Sequence, residues 1–270
     1  MPERTLDDLR SHLRSWAEEL NARVSEPPVL VRDICSSLGV FIEKKDTVPQ
    51  YKAYLSVDSF KDHSALILLP SKEIGNFERF CIAHELAHYL LLVSFSALPQ
   101  NKSEYWKHEE LCDDFARCLL VPTRYVSQRL HDENASATRY LHLCGEISQS
   151  ARVPWIQVAH RIAELRPNVT YLRCQRLPSN AFKLVATTHP RRKGRGTLVK
   201  KDTKLWTAFN ELLGRSQETT RVIRSDMTKL FVECDVADAL GLTRGASGAA
   251  RLAAILAGES PANRGVQSLL

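Results

Sequence analysis

Leu6, Leu9, Leu13, Trp16 and Leu20 recur three or four residues apart and predict an amphipathic helix over 5–24 with these side chains as its buried stripe. Thr5 stands as its N-cap with Asp8 at the reciprocal position, and Pro27 and Pro28 stop it. A second helix is expected over 29–38, closed by Gly39. Short apolar runs then predict strands over 40–43, 51–56 and 65–69, the last ended by Pro70. Residues 80–92, FCIAHELAHYLLL, are apolar all round except for one polar cluster, which marks a helix buried in the core. A polar stretch over 93–103 predicts a loop. Leu111, Phe115, Cys118 and Leu119 then return to helical spacing within 108–122, which Pro122 terminates.

Three further helices are expected over 123–130, 137–147 and 153–165, the last after a short SQSAR turn. That last segment reads as a packing helix with Trp155, Val158, Ile162 and Leu165 on its face. The competing reading is the second helix of a helix-turn-helix, with Gln157, His160 and Arg161 outward. Beyond Pro167 the pattern changes to strands over 169–174, 181–186, 221–223 and 230–234, with helices over 205–213 and 236–240. The tail from Thr243 is rich in Ala, Gly and Ser, with a possible helix over 249–257. The expected organisation is therefore two domains, 1–166 and 167–270.

The polar cluster in 80–92 is His84, Glu85 and His88. Two histidines four apart on a helix project from one face, as two imidazoles meeting one tetrahedral zinc require. Glu85 lies about 100° round the helix from His84, placed to reach a water without ligating the metal. This is the H-E-x-x-H arrangement in which the glutamate acts as general base. A solvated helix would need flanks far more polar than these, and three polar groups buried without partners would be costly. In 108–122, Glu109 and Asp113 are again four apart. Glu109 reads as the third ligand and Asp113 as a carboxylate orienting a ligating histidine. Glu110 and His108 compete with Glu109 for the ligand role, and a solvated acidic helix start is the alternative for Glu109 itself.

These two segments together resemble the ImmA/IrrE family of zinc metallopeptidases, over about residues 25 to 165. Arg79 and Phe80 fit the start of that family's first motif, although Cys81 stands where threonine is common. Glu109, Asp113, Phe115, Ala116, Leu120 and Pro122 match its second motif position for position. The resemblance implies an α+β fold: a zincin-like metallopeptidase domain, mostly helical with a small sheet, followed by a smaller α/β sensor-like (GAF-like) domain. It also implies zinc (Zn2+) on His84, His88 and Glu109, with Glu85 as the base. An edge strand of the small sheet would pair with an extended substrate, and the implied substrate is a separate helix-turn-helix transcriptional repressor. Tyr54 is a candidate for stabilising the oxyanion.

Cys112 stands where the family has alanine, three residues after Glu109 and on the same helical face. As a thiolate it could take the open position on zinc and hold the enzyme silent. As a small apolar side chain it would simply substitute for alanine in the core. Both readings stay open on the sequence.

Composition adds the rest. The 270 residues are 44% hydrophobic and 25% charged, which suits an ordinary globular protein. No apolar run is long enough to span a membrane and the start, MPERTLDDLRSHL, does not read as a signal peptide, so a cytoplasmic location is expected. The seven cysteines form an odd set without C-x-x-C and read as buried thiols. The net charge of +6 is unevenly spread: residues 1–165 carry about −4 and residues 166–270 about +10. Arg191, Arg192, Lys193, Arg195, Lys200 and Lys201 concentrate in and just after one glycine-containing loop. Such a loop could grip phosphates, with Tyr171, Phe182 and Trp206 offering stacking surfaces, so single-stranded DNA is the expected activator. A solvated basic loop is the plainer alternative. The acidic first half, Cys112 and the basic second half resemble the CapP-type peptidases of CBASS anti-phage systems, which implies cleavage triggered by DNA. Rival functions are a DNA-binding transcription regulator with a non-catalytic zinc site, and a thiol redox sensor.

Overall fold

In the computed structural model, Thr5 Oγ1 accepts from the Asp8 N–H at 3.2 Å while Asp8 Oδ2 accepts from the Thr5 N–H at 3.0 Å. That reciprocal cap starts α1, Leu6–Leu20, whose buried residues are Leu9, Leu13 and Ala17. Trp16 is only half-buried and stacks on Phe95 at 5.3 Å between ring centroids. The structure describes residues 5–57, 65–96, 98–130, 137–167, 169–177, 179, 181–187, 198–199, 206–207, 221–224 and 227–233. The expected basic loop over 189–201 lies outside them except for 198–199, as do the expected helices over 236–240 and 249–257 and most of 205–213.

Two compact units divide the chain. The first comprises 1–131 with 145–161, the second 132–144 with 162–270. In the first, α1 packs on α4, Lys102–Leu120. Asn21, just past α1, donates through its side-chain amide to Cys118 O at 2.9 Å and Leu119 O at 3.3 Å, so it satisfies carbonyls left open at the end of α4. The guanidinium of Arg124, on α5 (Thr123–Arg129), donates in turn to the carbonyls of Asn21, Ala22 and Val24. A short α2, Val31–Ser37, ends at Gly39, whose φ of 72° only glycine adopts freely.

The small sheet consists of β1 (Val40–Lys45), β2 (Tyr54–Ser56) and β3 (Ala65–Pro70), in the order β1-β3-β2. β1 runs parallel to β3 with Val40 opposite Ala65, and β2 runs antiparallel with Leu55 opposite Ile67. β3 is central and buries Ile67 and Leu69 completely, which leaves β2 as an edge. α3, Asn76–Phe95, lies against β2, β3 and α4 and buries side chains round most of its circumference. It is longer than its apolar run suggests, because Gly75 (φ 55°) turns the chain directly into it and Ser96 closes it in the left-handed region. The expected loop over 93–103 shrinks accordingly. Asn101 caps α4 by accepting from the Glu104 N–H at 3.0 Å.

One expectation is corrected in the helices that follow, and one competing reading falls. The SQSAR stretch is not a turn except at Arg152 (φ 51°), since α6 runs Ala137–Ala151. Arg161 on α7, Trp155–Leu165, does not point outward; it is buried and donates to Val121 O and Glu18 Oε1, each at 3.2 Å, and to Thr123 Oγ1. A guanidinium so placed braces the ends of neighbouring helices, which is the packing reading of this segment.

The second unit contains a five-stranded antiparallel sheet in the order β6-β5-β4-β8-β7. Its members are β4 (Val169–Arg176), β5 (Phe182–Thr187), β6 (Leu198–Val199), β7 (Arg221–Arg224) and β8 (Met227–Glu233). The central β4 buries Val169, Thr170, Tyr171 and Leu172 in succession, hence both of its faces. Among the described residues, no helix is long and apolar enough to cross a membrane.

Candidate metal centre

The 3.6-residue turn of α3 brings His84 and His88 to one face, and their Nε2 atoms lie 3.2 Å apart. The same geometry on α4 aims Glu109 at both: Oε2 is 3.4 Å from His84 Nε2 and Oε1 is 3.2 Å from His88 Nε2. Asp113, one turn on, accepts from His84 Nδ1 at 2.9 Å. That bond fixes the tautomer, so Nε2 is the nitrogen left to face Glu109 and His88. Donor atoms tetrahedrally placed about 2.0–2.1 Å from a zinc ion stand about 3.3–3.4 Å from one another. The two Nε2 atoms match one such edge at 3.2 Å, and each has its own Glu109 oxygen at 3.4 or 3.2 Å, so the donor set fits zinc in number and chemistry.

Electrostatics follow from this crowding. Burial alone would depress His84, but its hydrogen bonds to Asp113 and Glu109, with the charges of Asp113 and Glu85, raise its pKa to about 9. Burial opposes ionisation of Glu109 too, yet the two imidazoles hold its carboxyl far below the usual range. Glu85, at 9% exposure, is pushed up by burial, and the imidazoles of His84 and His88 only partly reverse this. Its carboxylate accepts from the backbone N–H of Leu55, which ties the edge strand β2 to α3.

Cys112 is fully buried beneath the imidazoles. His84, His88 and Cys112 form a second grouping whose ligand atoms all lie within 4.8 Å of one another. Burial first, then the carboxylates of Glu109, Glu85 and Asp113, push its thiol well above the ordinary pKa. The other sequence candidates stand apart. Glu110 is exposed, His108 is buried, and neither lines the cleft that opens on the cluster. Arg191, Arg192, Lys193, Arg195, Lys200 and Lys201 lie outside the described residues. The six described cysteines are all buried.

That cleft has a volume of about 720 Å³ and is lined by His84, Glu85, His88, Glu109 and Asp113 together with Tyr54 and Tyr105. Sequence reasoning chose Tyr54 and missed Tyr105. The Tyr105 hydroxyl hydrogen-bonds to Glu109, and burial followed by the charge of Glu109 raises its pKa. Its position four residues before Glu109, hence on the same helical face, was the available clue.

Residues 35–163 match the family model described as an IrrE N-terminal-like domain, Peptidase_M78. No curated protein matches the chain. Among solved structures, a Mycobacterium tuberculosis transcriptional regulator is similar at 14% identity and a TM-score of 0.47; the match covers 76% of this chain and 63% of that one, so this chain spans less than two thirds of its length.

Proposed function

Since residues 35–163 belong to the IrrE N-terminal-like peptidase family, we propose that the chain is a zinc endopeptidase acting through this cleft. The observation that carries the reading is the convergence of His84, His88 and Glu109 with contacts of 3.2–3.4 Å, with Glu85 beside them and the site open to solvent. Three protein donors leave a fourth position for water or substrate, the mark of a catalytic rather than a structural site. Zinc held there supplies Lewis-acid activation of water and of a peptide carbonyl.

The remaining chemistry belongs to side chains. Glu85, its pKa raised toward the working range, takes the proton of the attacking water and returns it to the leaving amine. The Leu55 N–H holds that carboxylate in place. Asp113 holds His84, and the Tyr105 hydroxyl steadies Glu109. The substrate proposed is a separate helix-turn-helix repressor, whose cleavage would switch on stress or anti-phage defence genes. Regulation is assigned to Cys112, as an alternative ligand for the same metal that silences the site. The trigger proposed is single-stranded DNA on the second domain, 167–270, which we read as GAF-like; its antiparallel five-stranded sheet and a net charge of about +10 over 166–270 support this.

The test is incubation of zinc-loaded protein with the candidate repressor, with and without single-stranded DNA. Wild type should cut it and Glu85→Gln should not, while Glu85→Gln retains stoichiometric zinc. Zinc bound with no Glu85-dependent cleavage would instead indicate a DNA-binding regulator with a non-catalytic metal. Activation by peroxide in the absence of DNA would indicate a thiol sensor.

A further inference from the structure

Eight large apolar side chains are exposed among the described residues, and five of them, Tyr51, Tyr54, Leu98, Tyr105 and Trp106, line this single cleft. Trp106 is 58% exposed and meets Tyr105 edge to face at 5.3 Å. Leaving so much aromatic surface in water is unfavourable unless something covers it, and a concentrated patch of this kind marks a binding surface. The rings also lead inward. Tyr51, Phe77, Phe80 and His84 follow one another at centroid separations of 5.9, 5.9 and 6.3 Å, so apolar surface runs unbroken from the rim to the metal-facing histidine.

We infer that the cleft selects a peptide segment carrying a bulky apolar side chain, aromatic or leucine, next to the bond to be cut. The side chain seats against Tyr105 and Trp106, where burial of its apolar area is the recognition. This rests on the peptidase reading above and adds to it what the site admits.

The experiment uses the full-length zinc-loaded protein and a set of quenched fluorescent decapeptides differing at one position: Phe, Leu, Ala, Asp or Lys. Cleavage by wild type and binding to Glu85→Gln, by fluorescence anisotropy, are both measured. The Phe and Leu peptides should be preferred over the other three by about tenfold or more. Trp106→Ala, an exposed site whose fold is checked by circular dichroism, should collapse the Phe-to-Ala ratio toward one. Equal use of the Asp and Phe peptides, or a Trp106→Ala variant that slows every peptide alike, would overturn the inference. If Glu85→Gln binds Phe over Asp while wild type cuts none, the selectivity stands and the peptidase reading falls. If wild type cuts all five alike, the reverse holds.

Discussion

In the proposed zinc site Asp113 acts through His84, whose Nδ1 donates to it at 2.9 Å. Asp113→Asn should therefore weaken zinc by about 10–100-fold, read by chelator competition, while leaving the fold intact. Cys112 sits on the other side of the same balance. Cys112→Ser should raise basal cleavage by removing the competing donor, and unchanged activity in the zinc-loaded variant would reduce Cys112 to core packing. Much of this geometry was legible at the residue scale. Spacing of four placed His84 with His88 and Glu109 with Asp113, and the structure brings all four side chains to one cleft. Tyr105 was less visible, because its spacing of four from Glu109 was its one mark and an exposed tyrosine near a helix start adds nothing to the apolar periodicity.

At the scale of elements, Glu78 is the tie between α2, β1 and α3. Its carboxylate meets Arg32 at 2.5 Å and Lys44 at 2.9 Å. Burial raises its pKa, but the hydrogen bonds and charges of Lys44 and Arg32 outweigh this and lower it below 4.5. A folded pKa below the unfolded one stabilises the fold above about pH 4.5, and the contribution is lost as pH falls through the lowered value. Glu78→Gln should accordingly cost roughly 1 kcal/mol near neutrality, a Tm drop of about 2–4 °C, and progressively less in acid. Asn101→Ala should cost about 1 kcal/mol through the lost cap of α4, measured by denaturant midpoint. Local rules located the caps at Thr5 and Gly39. They missed the start of α3 at Asn76 and the helical SQSA stretch, because both depend on tertiary packing that overrides weak local preference. The parallel pairing of Val40 with Ala65 joins residues 25 apart and has no local signature at all.

Charge sets the expectation for the whole molecule. If the six basic residues Arg191, Arg192, Lys193, Arg195, Lys200 and Lys201 all contact phosphates, single-strand binding should weaken with salt with a logarithmic slope of about −4. Replacing Arg191, Arg192 and Lys193 by glutamate should remove that binding without altering zinc content, and a salt-independent isotherm would dismiss the loop as the contact.

Under the peptidase proposal, the aromatic rim has a consequence for the protein that is cut. Side chains that such a rim admits are those a folded victim hides in its own interior. The bond then becomes reachable only while the victim breathes, and when that opening is fast its population sets the rate of cutting. Loosening the victim locally by about 1.4 kcal/mol should speed its loss about tenfold with no change in the peptidase.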